Sequence, residues 1–364
     1  MPIGTTQFSN FPYYERLDLL LAASCANGYI NPAKQSELVR CELTEPLRAH
    51  AFGIYEGNME VAIARRTALF NRFSQDGRLS KFPLYHYDQT LCLRTLWRFW
   101  LPLAIDLANL RTETDRPIVQ GILGGQGTGK TTLAQALSLL LNELGLATIA
   151  LSIDDLYKTH AEREQLKAQD PRFIRRGPPG THDIATGLDL LDRVQAQQFP
   201  IHVPRFDKSL HAGDGDRIEP IQVDQADIVL FEGWFVGVEP VDAAVFDQAP
   251  EPIVTEADRQ FARDCNTKLR DYLPLWERCD RIAVLNPVDY HLSQQWRLQA
   301  EHDAIALGKA GMSDAEIATF VEYFWKALHP DLFIAPLVER SHLVISIESD
   351  HSVGDIYGKL PSVS

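Results

Sequence analysis

Three short stretches combine residue types at spacings that chemistry can use. The first, "GGQGTGKTT", runs from Gly124 to Thr132 and fits G-x-x-x-x-G-K-[ST] without a mismatch. Glycines there let successive backbone N–H groups turn inward on phosphate oxygens. Gly124, Gly125, Gln126, Gly127, Thr128, Gly129, Lys130, Thr131 and Thr132 are thus expected to bind a nucleotide, with Lys130 a point charge for the outer phosphates. The second stretch, "LSIDDLYK", ends an apolar run in Asp154 and Asp155. A hydroxyl attacking a γ-phosphoryl group needs orientation and a place to lose its proton, and one carboxylate can supply both. An Asp that caps the following helix is the alternative. The third, "IVLFEGWFVG", places Glu232 after four apolar residues. A carboxylate there can hold Mg²⁺ through water, because this small hard cation takes few protein ligands; a strand-end charge turned to solvent is the plainer reading. Thr131, whose hydroxyl can coordinate the ion, Asp154 and Glu232 form the candidate metal set.

Such groups must be delivered to one place by the fold. Before the loop, "IVQGIL" reads as a strand; after it comes a helix with Leu133, Leu137, Leu140, Leu141 and Leu144 on one face, stopped by Gly145. "LATIALSI", "ADIVLFEG", "DRIAVLN" and "HLVISIE" read as further strands. Strands alternating with helices imply a mostly parallel sheet covered on both faces, with ligands at the strands' carboxyl ends. Up to about Leu110 the pattern is helical instead: "ERLDLLLAA", "MEVAIARRTALFNRF" and "LCLRTLWRFWLPLAIDLANL" step their apolar residues by three and four. The polar break "RTETDRP" sets an expected boundary, with a helical region over 1–112 and a second part over 113–364.

Composition narrows the partners. The 364 residues carry 49 acidic and 35 basic side chains, a formal net charge of −14, with no Lys/Arg run. That balance excludes nucleic acid and anionic membrane as expected partners and favours a small molecule. No apolar run approaches membrane-spanning length. Five scattered cysteines without a C-x-x-C suit a reducing compartment, and the first twenty residues resemble neither a secretory signal nor a transit peptide, so the cytoplasm is expected. A guanine-reading N-K-x-D is absent, which disfavours GTP.

With these residues in place, the chain resembles P-loop kinases of the phosphoribulokinase, uridine kinase and pantothenate kinase superfamily, and within it the D-glycerate 3-kinase family of plants and cyanobacteria. "GGQGTGKTTL", "SIDDLYKT", "RRGPPGTHD", "PRFDKSLHAGDGDR", "FEGWFVG" and "QQWRLQAEHDAIALGKAGMSDAEIATFVEYFW" carry the resemblance, over about Pro117 to Phe333. It implies a kinase-type P-loop NTPase fold, three-layer α/β/α with a mostly parallel sheet, and a lid around 290–312. It also implies ATP with Mg²⁺ and D-glycerate as the phosphorylated acceptor. Asp154 takes the family's base position, Glu232 its metal-associated acid, and Arg297 its lid arginine. Lys130, Asp154 and Arg297 are then the catalytic set, although Arg297 also stands at i, i+4 from Glu301 as an ordinary helix-surface pair.

Acceptor contacts are expected from Asp155, Tyr157, Arg175, Arg176, His182, Asp183, Arg205, Asp207, Lys208 and His211. Arg175 and Arg176 suit a carboxylate, which guanidinium meets with two prongs, but each can equally pair with local acids. Where relatives carry Tyr in "YD", Phe206 stands here and removes a hydroxyl. Ser313 and Glu316 form an S-x-x-E capping box. A kinase of the same fold with another hydroxyl acceptor remains a competing reading, as does a nucleotide-dependent regulatory protein using the N-terminal helices as its partner surface.

Overall fold

Apolar residues in the central strands alternate between two cores, and this two-faced burial makes the sheet the middle of three layers. The computed structural model describes residues 12–75, 77–306, 308 and 311–358. The strands are β1 Ile118–Gly124, β2 Thr148–Ser152, β3 Ile201–Asp207, β4 Asp216–Val223, β5 Ile228–Gly233, β6 Arg281–Pro287, β7 Leu343–Ile347 and β8 Val353–Tyr357. Six of them form one sheet in the order β2-β5-β1-β6-β7-β8, parallel except for β8. β3 and β4 make a separate antiparallel hairpin. The five strands named from the sequence all appear in the sheet; β8 and the β3–β4 hairpin join them.

Helices α1 Pro12–Ala26, α2 Pro32–Glu42, α3 Pro46–Ala51, α4 Met59–Gln75, α5 Gln89–Thr95 and α6 Leu101–Glu113 make up the N-terminal region. Between α5 and α6 the continuous helix expected from 91 to 110 widens into a π-turn over Leu96–Trp100. α7 Lys130–Glu143 follows the phosphate loop, and α8 His160–Gln169 and α9 Ile184–Gln195 precede the hairpin. The remaining helices are α10 Glu256–Lys268, α11 Leu273–Trp276, α12 Leu292–Ala306, α13 Asp314–Ala327 and α14 Pro330–Arg340.

Ile118 and Ile122 of β1, with Ile228 and Leu230 of β5, pack into a core shared with α7 and the N-terminal helices, including Phe70, Trp97 and Leu107. Val119 and Leu123, with Val229 and Phe231, face the opposite core of α9, α10 and α14. The N-terminal region is therefore continuous in packing with one outer layer. Its centre holds Glu42, 1% exposed, which accepts hydrogen bonds from Arg48 (2.9 Å) and Arg66 (2.8 and 3.1 Å). Of the expected lid, residues 307, 309 and 310 lie outside the described residues, as do the first eleven residues read for a targeting signal. Among the described residues no helix is long and apolar enough to cross a membrane, and the five cysteines are unpaired.

Candidate active site

Parallel register brings the chemically interesting residues to one edge. Glu232 pairs with Ser152 of β2 on one side and Ile122 of β1 on the other, so three strand tips finish within a residue or two of each other. β1 then turns into the phosphate loop, where Gly127 and Gly129 have φ of 77° and 88°, a left-handed backbone that side chains resist. Gly127 is constrained twice: a Cβ there would lie 2.6 Å from Cβ of Trp296 on α12. The loop braces itself through Thr128, whose hydroxyl donates to the Gly125 carbonyl at 2.9 Å.

Lys130 opens α7, and its Nζ donates to the Gly125 carbonyl at 2.9 Å. Burial lowers its pKa, against which the carboxylates of Glu232 and Asp154 favour the charged form. Next to it the Thr131 hydroxyl donates to Glu232 Oε1 at 3.4 Å. Thr132 lies in the same first turn, its Cβ 3.9 Å from where a Cβ on Gly129 would stand. Gln126 Oε1 is buried without a partner.

The two tip acids are driven apart. Burial raises Glu232, with Lys130 opposing. Burial pushes Asp154 up as well, but Lys208 and a hydrogen bond from Tyr157 outweigh it and hold Asp154 below the usual carboxylate range. Lys208 reaches in from the hairpin, with Nζ 2.6 Å from Asp154 Oδ2. One acid is thereby shifted down beside another that is shifted up, a pattern of functional sites.

Around this pair the other candidates take varied positions. Asp155 completes a capping box: it accepts from Ser152 N at 3.1 Å and from Arg205 at 3.2 Å. Tyr157 is buried, its ring stacked on His182 with centroids 4.5 Å apart. Asp183 caps α9, accepting from Thr186 N and its hydroxyl, and pairs with Arg217 at 3.0 Å. Arg176 donates to the Gly213 carbonyl at 2.6 Å, and exposed Arg175 lies over the Phe320 ring at 5.0 Å. Asp207 is occupied by Ser209. His211 bonds Asp216 at 3.1 Å and stacks on His160 at 3.9 Å, in the turn of the hairpin. Arg297 pairs with Glu301 at 2.6 Å and stands 5.6 Å over Phe320, so its i+4 partner is real and its aromatic neighbour is new.

Several participants escaped the sequence. Tyr272 accepts from Gly180 N at 2.8 Å and contacts His182 Nδ1 at 2.7 Å. His351 Nδ1 donates to the Gly127 carbonyl at 3.1 Å and stacks on Trp296 at 4.6 Å, which roofs the phosphate loop. A cavity of about 890 Å³ runs from Thr131, Asp155 and Glu232 along α7 and β2 to a wall made by Lys81, Phe82 and Tyr87. The N-terminal region thus contributes surface next to the site, which no local pattern announced.

Comparison with known proteins gives a consistent group. No family model matches the chain. A fission yeast protein described as an uncharacterized kinase is 34% identical over 218 residues, covering 57% of this chain and 79% of that one. The chloroplastic D-glycerate 3-kinase of Arabidopsis thaliana is 32% identical over 288 residues, covering 74% of this chain and 60% of its own length. The solved D-glycerate 3-kinase of Cryptococcus neoformans superposes with a TM-score of 0.62 at 27% identity, covering 70% of this chain and 95% of that one.

Proposed function

This chain belongs to the glycerate 3-kinase type of P-loop kinases, and from that premise we propose that it transfers the γ-phosphoryl group of ATP to the terminal hydroxyl of D-glycerate, giving 3-phospho-D-glycerate. The observation that carries the reading is the Asp154–Lys208 pair at 2.6 Å, set where the tips of β1, β2 and β5 meet. Phosphoryl transfer through a loose transition state asks the protein mainly for positioning and charge. The loop from Gly124 to Thr132 holds the triphosphate, and Lys130 follows charge onto the leaving phosphate oxygens. Asp154 orients the acceptor hydroxyl and takes its proton as the O–P bond forms. Lys208 keeps that carboxylate ionised beforehand. Arg297 adds positive charge from the lid side, leaving Glu301 to do so.

Thr131 and Glu232 suit Mg²⁺, since a hydroxyl and a carboxylate oxygen 3.4 Å apart are the hard oxygen donors this ion takes. With Asp154 they would hold it, and the bound ion would neutralise charge on the triphosphate. Arg175, Arg176, Arg205, Asp207 and His211 border the acceptor side, with Asp155, Tyr157 and Asp183 shaping it from below. We place the boundary between the helical region and the kinase part at 112/113, the lid at 290–312, and the enzyme in the cytoplasm, in keeping with five free thiols.

The test is to incubate the protein with MgATP and D-glycerate and to locate the phosphoester by phosphorus NMR. Phosphate on C3 with stoichiometric ADP is expected. ADP formation with a nucleoside or pantothenate, and none with D-glycerate, would overturn the acceptor while keeping the kinase.

A further inference from the structure

Buried polar atoms nearly always find partners, so those that do not mark places where something else belongs. Among the described residues, three unpartnered buried donors lie along one aromatic seam: His182 Nε2, Trp234 Nε1 and Arg297 Nε. The seam can be followed ring by ring. His182 lies 5.6 Å from Phe235, Phe235 5.0 Å from Trp234, and Trp234 5.2 Å from Phe324. Phe324 lies 4.9 Å from Phe320, and the Arg297 guanidinium stands over that ring at 5.6 Å. At one end His182 stacks on Tyr157, which hydrogen-bonds Asp154. Trp234 follows Glu232 by two residues at the tip of β5.

Two of the three atoms are donors by their chemistry, and the third is a donor when Tyr272 donates to the other ring nitrogen. Indole and guanidinium nitrogens can only donate. A Tyr272 hydroxyl that accepts from Gly180 N can donate its own proton to His182 Nδ1, and in that tautomer the imidazole proton sits on Nε2. Burial drops the His182 pKa to about 3, which keeps the ring neutral at working pH. Unpartnered donors along one seam call for a ligand group that only accepts, and a carboxylate is that group.

We propose that Trp234 Nε1–H and His182 Nε2–H bind the carboxylate of the acceptor, so that this seam selects hydroxy acids over simple polyols. The inference rests on D-glycerate being the acceptor, and it makes Trp234 a substrate-binding residue.

Trp234→Phe tests it, since this change removes one N–H and keeps a ring against Phe324 and Phe235. KM for D-glycerate and Ki for D-lactate, which has the carboxylate but no terminal hydroxyl, should both rise about tenfold, with KM for ATP within about twofold. An unchanged KM for D-glycerate in the variant overturns this inference alone. So does a KM that rises while Ki for D-lactate stays fixed, because the N–H would then serve a hydroxyl. Parallel rises in KM for D-glycerate and ATP also overturn it, as a general disturbance. A wild-type protein that turns over no D-glycerate overturns the underlying reading and this inference with it.

Discussion

Glu42 in the N-terminal region and Asp154 at the tip of β2 are both carboxylates withdrawn from water and held low by cations, but their surroundings differ in completeness. Glu42 accepts from two guanidiniums that are themselves 2% and 1% exposed. Burial pushes its carboxyl up, yet Arg48 and Arg66 outweigh that and set it at about 2. Asp154 is held by Lys208, whose side chain is 60% exposed, and His182 and Trp234 nearby keep unpartnered donors. Closed ion clusters fix a structure, because removing one member leaves buried charge uncompensated. An open cluster costs stability and is tolerated where a ligand finishes it.

Replacing each carboxylate by its amide sharpens this contrast. Asp154→Asn should cut kcat about 10³-fold, the range of a positioned general base, while nucleotide affinity and melting temperature barely move. Collapse of ATP binding with chemistry intact would contradict the role given to Asp154. Glu42→Gln should do the opposite: it removes the buried negative charge that Arg48 and Arg66 share and should cost about 3 to 5 kcal/mol in urea denaturation. The fraction that remains folded should keep its kcat. Equal losses of stability in both variants would erase the distinction between the two clusters.

Acid titration probes the same pair more finely. His182 is depressed from 6.5 to about 3, so below pH 6.5 the unfolded chain binds a proton that the folded one refuses. Stability is therefore whole above pH 6.5 and falls as pH drops toward 3; His329, also lowered by burial, adds to this loss. Glu42, depressed from 4.5 to about 2, contributes fully above pH 4.5 and is lost between there and 2. Each group can contribute up to about 1.4 kcal/mol per pH unit over its window. Denaturation from pH 7 to 4 should show the first loss flattened in His182→Asn and retained in Glu42→Gln.

The comparison also explains what the sequence could show. The phosphate loop and the acids after β2 and β5 were legible because their signal is local: a fixed spacing of glycines, and apolar runs ending in one charge. β4 was not, since "DRIEPIQV" has both faces largely in solvent and lacks the alternation of a half-buried strand. β8 is a short edge strand with the same weakness. Asp155 and Asp183 carried the residue type of acceptor ligands, and only three dimensions reveal them capping local structure. The Glu42 cluster joins residues 6 and 24 positions apart on three helices, where each charge alone looks like a solvated helix face. Trp234 sat inside a recognised motif, but an unpartnered N–H has no sequence signature.

Lys208→Met should have the smallest effect, and it separates the clusters most cleanly. At the closed cluster a cation is structural; at the open one Lys208 touches Asp154 directly from an exposed position, and an exposed pair is worth less than about 1 kcal/mol to the fold. Its influence is on protonation instead. With Lys208 gone, burial is opposed only by Tyr157 and weaker charges, so the Asp154 pKa must rise. The acid limb of the kcat profile should move to higher pH, while the alkaline plateau stays within about threefold of wild type because the carboxylate is ionised there in both proteins. A plateau that falls with an unmoved limb would assign Lys208 to the transferring phosphoryl group; a large drop in melting temperature would make the site's cation structural, as Arg48 is for Glu42.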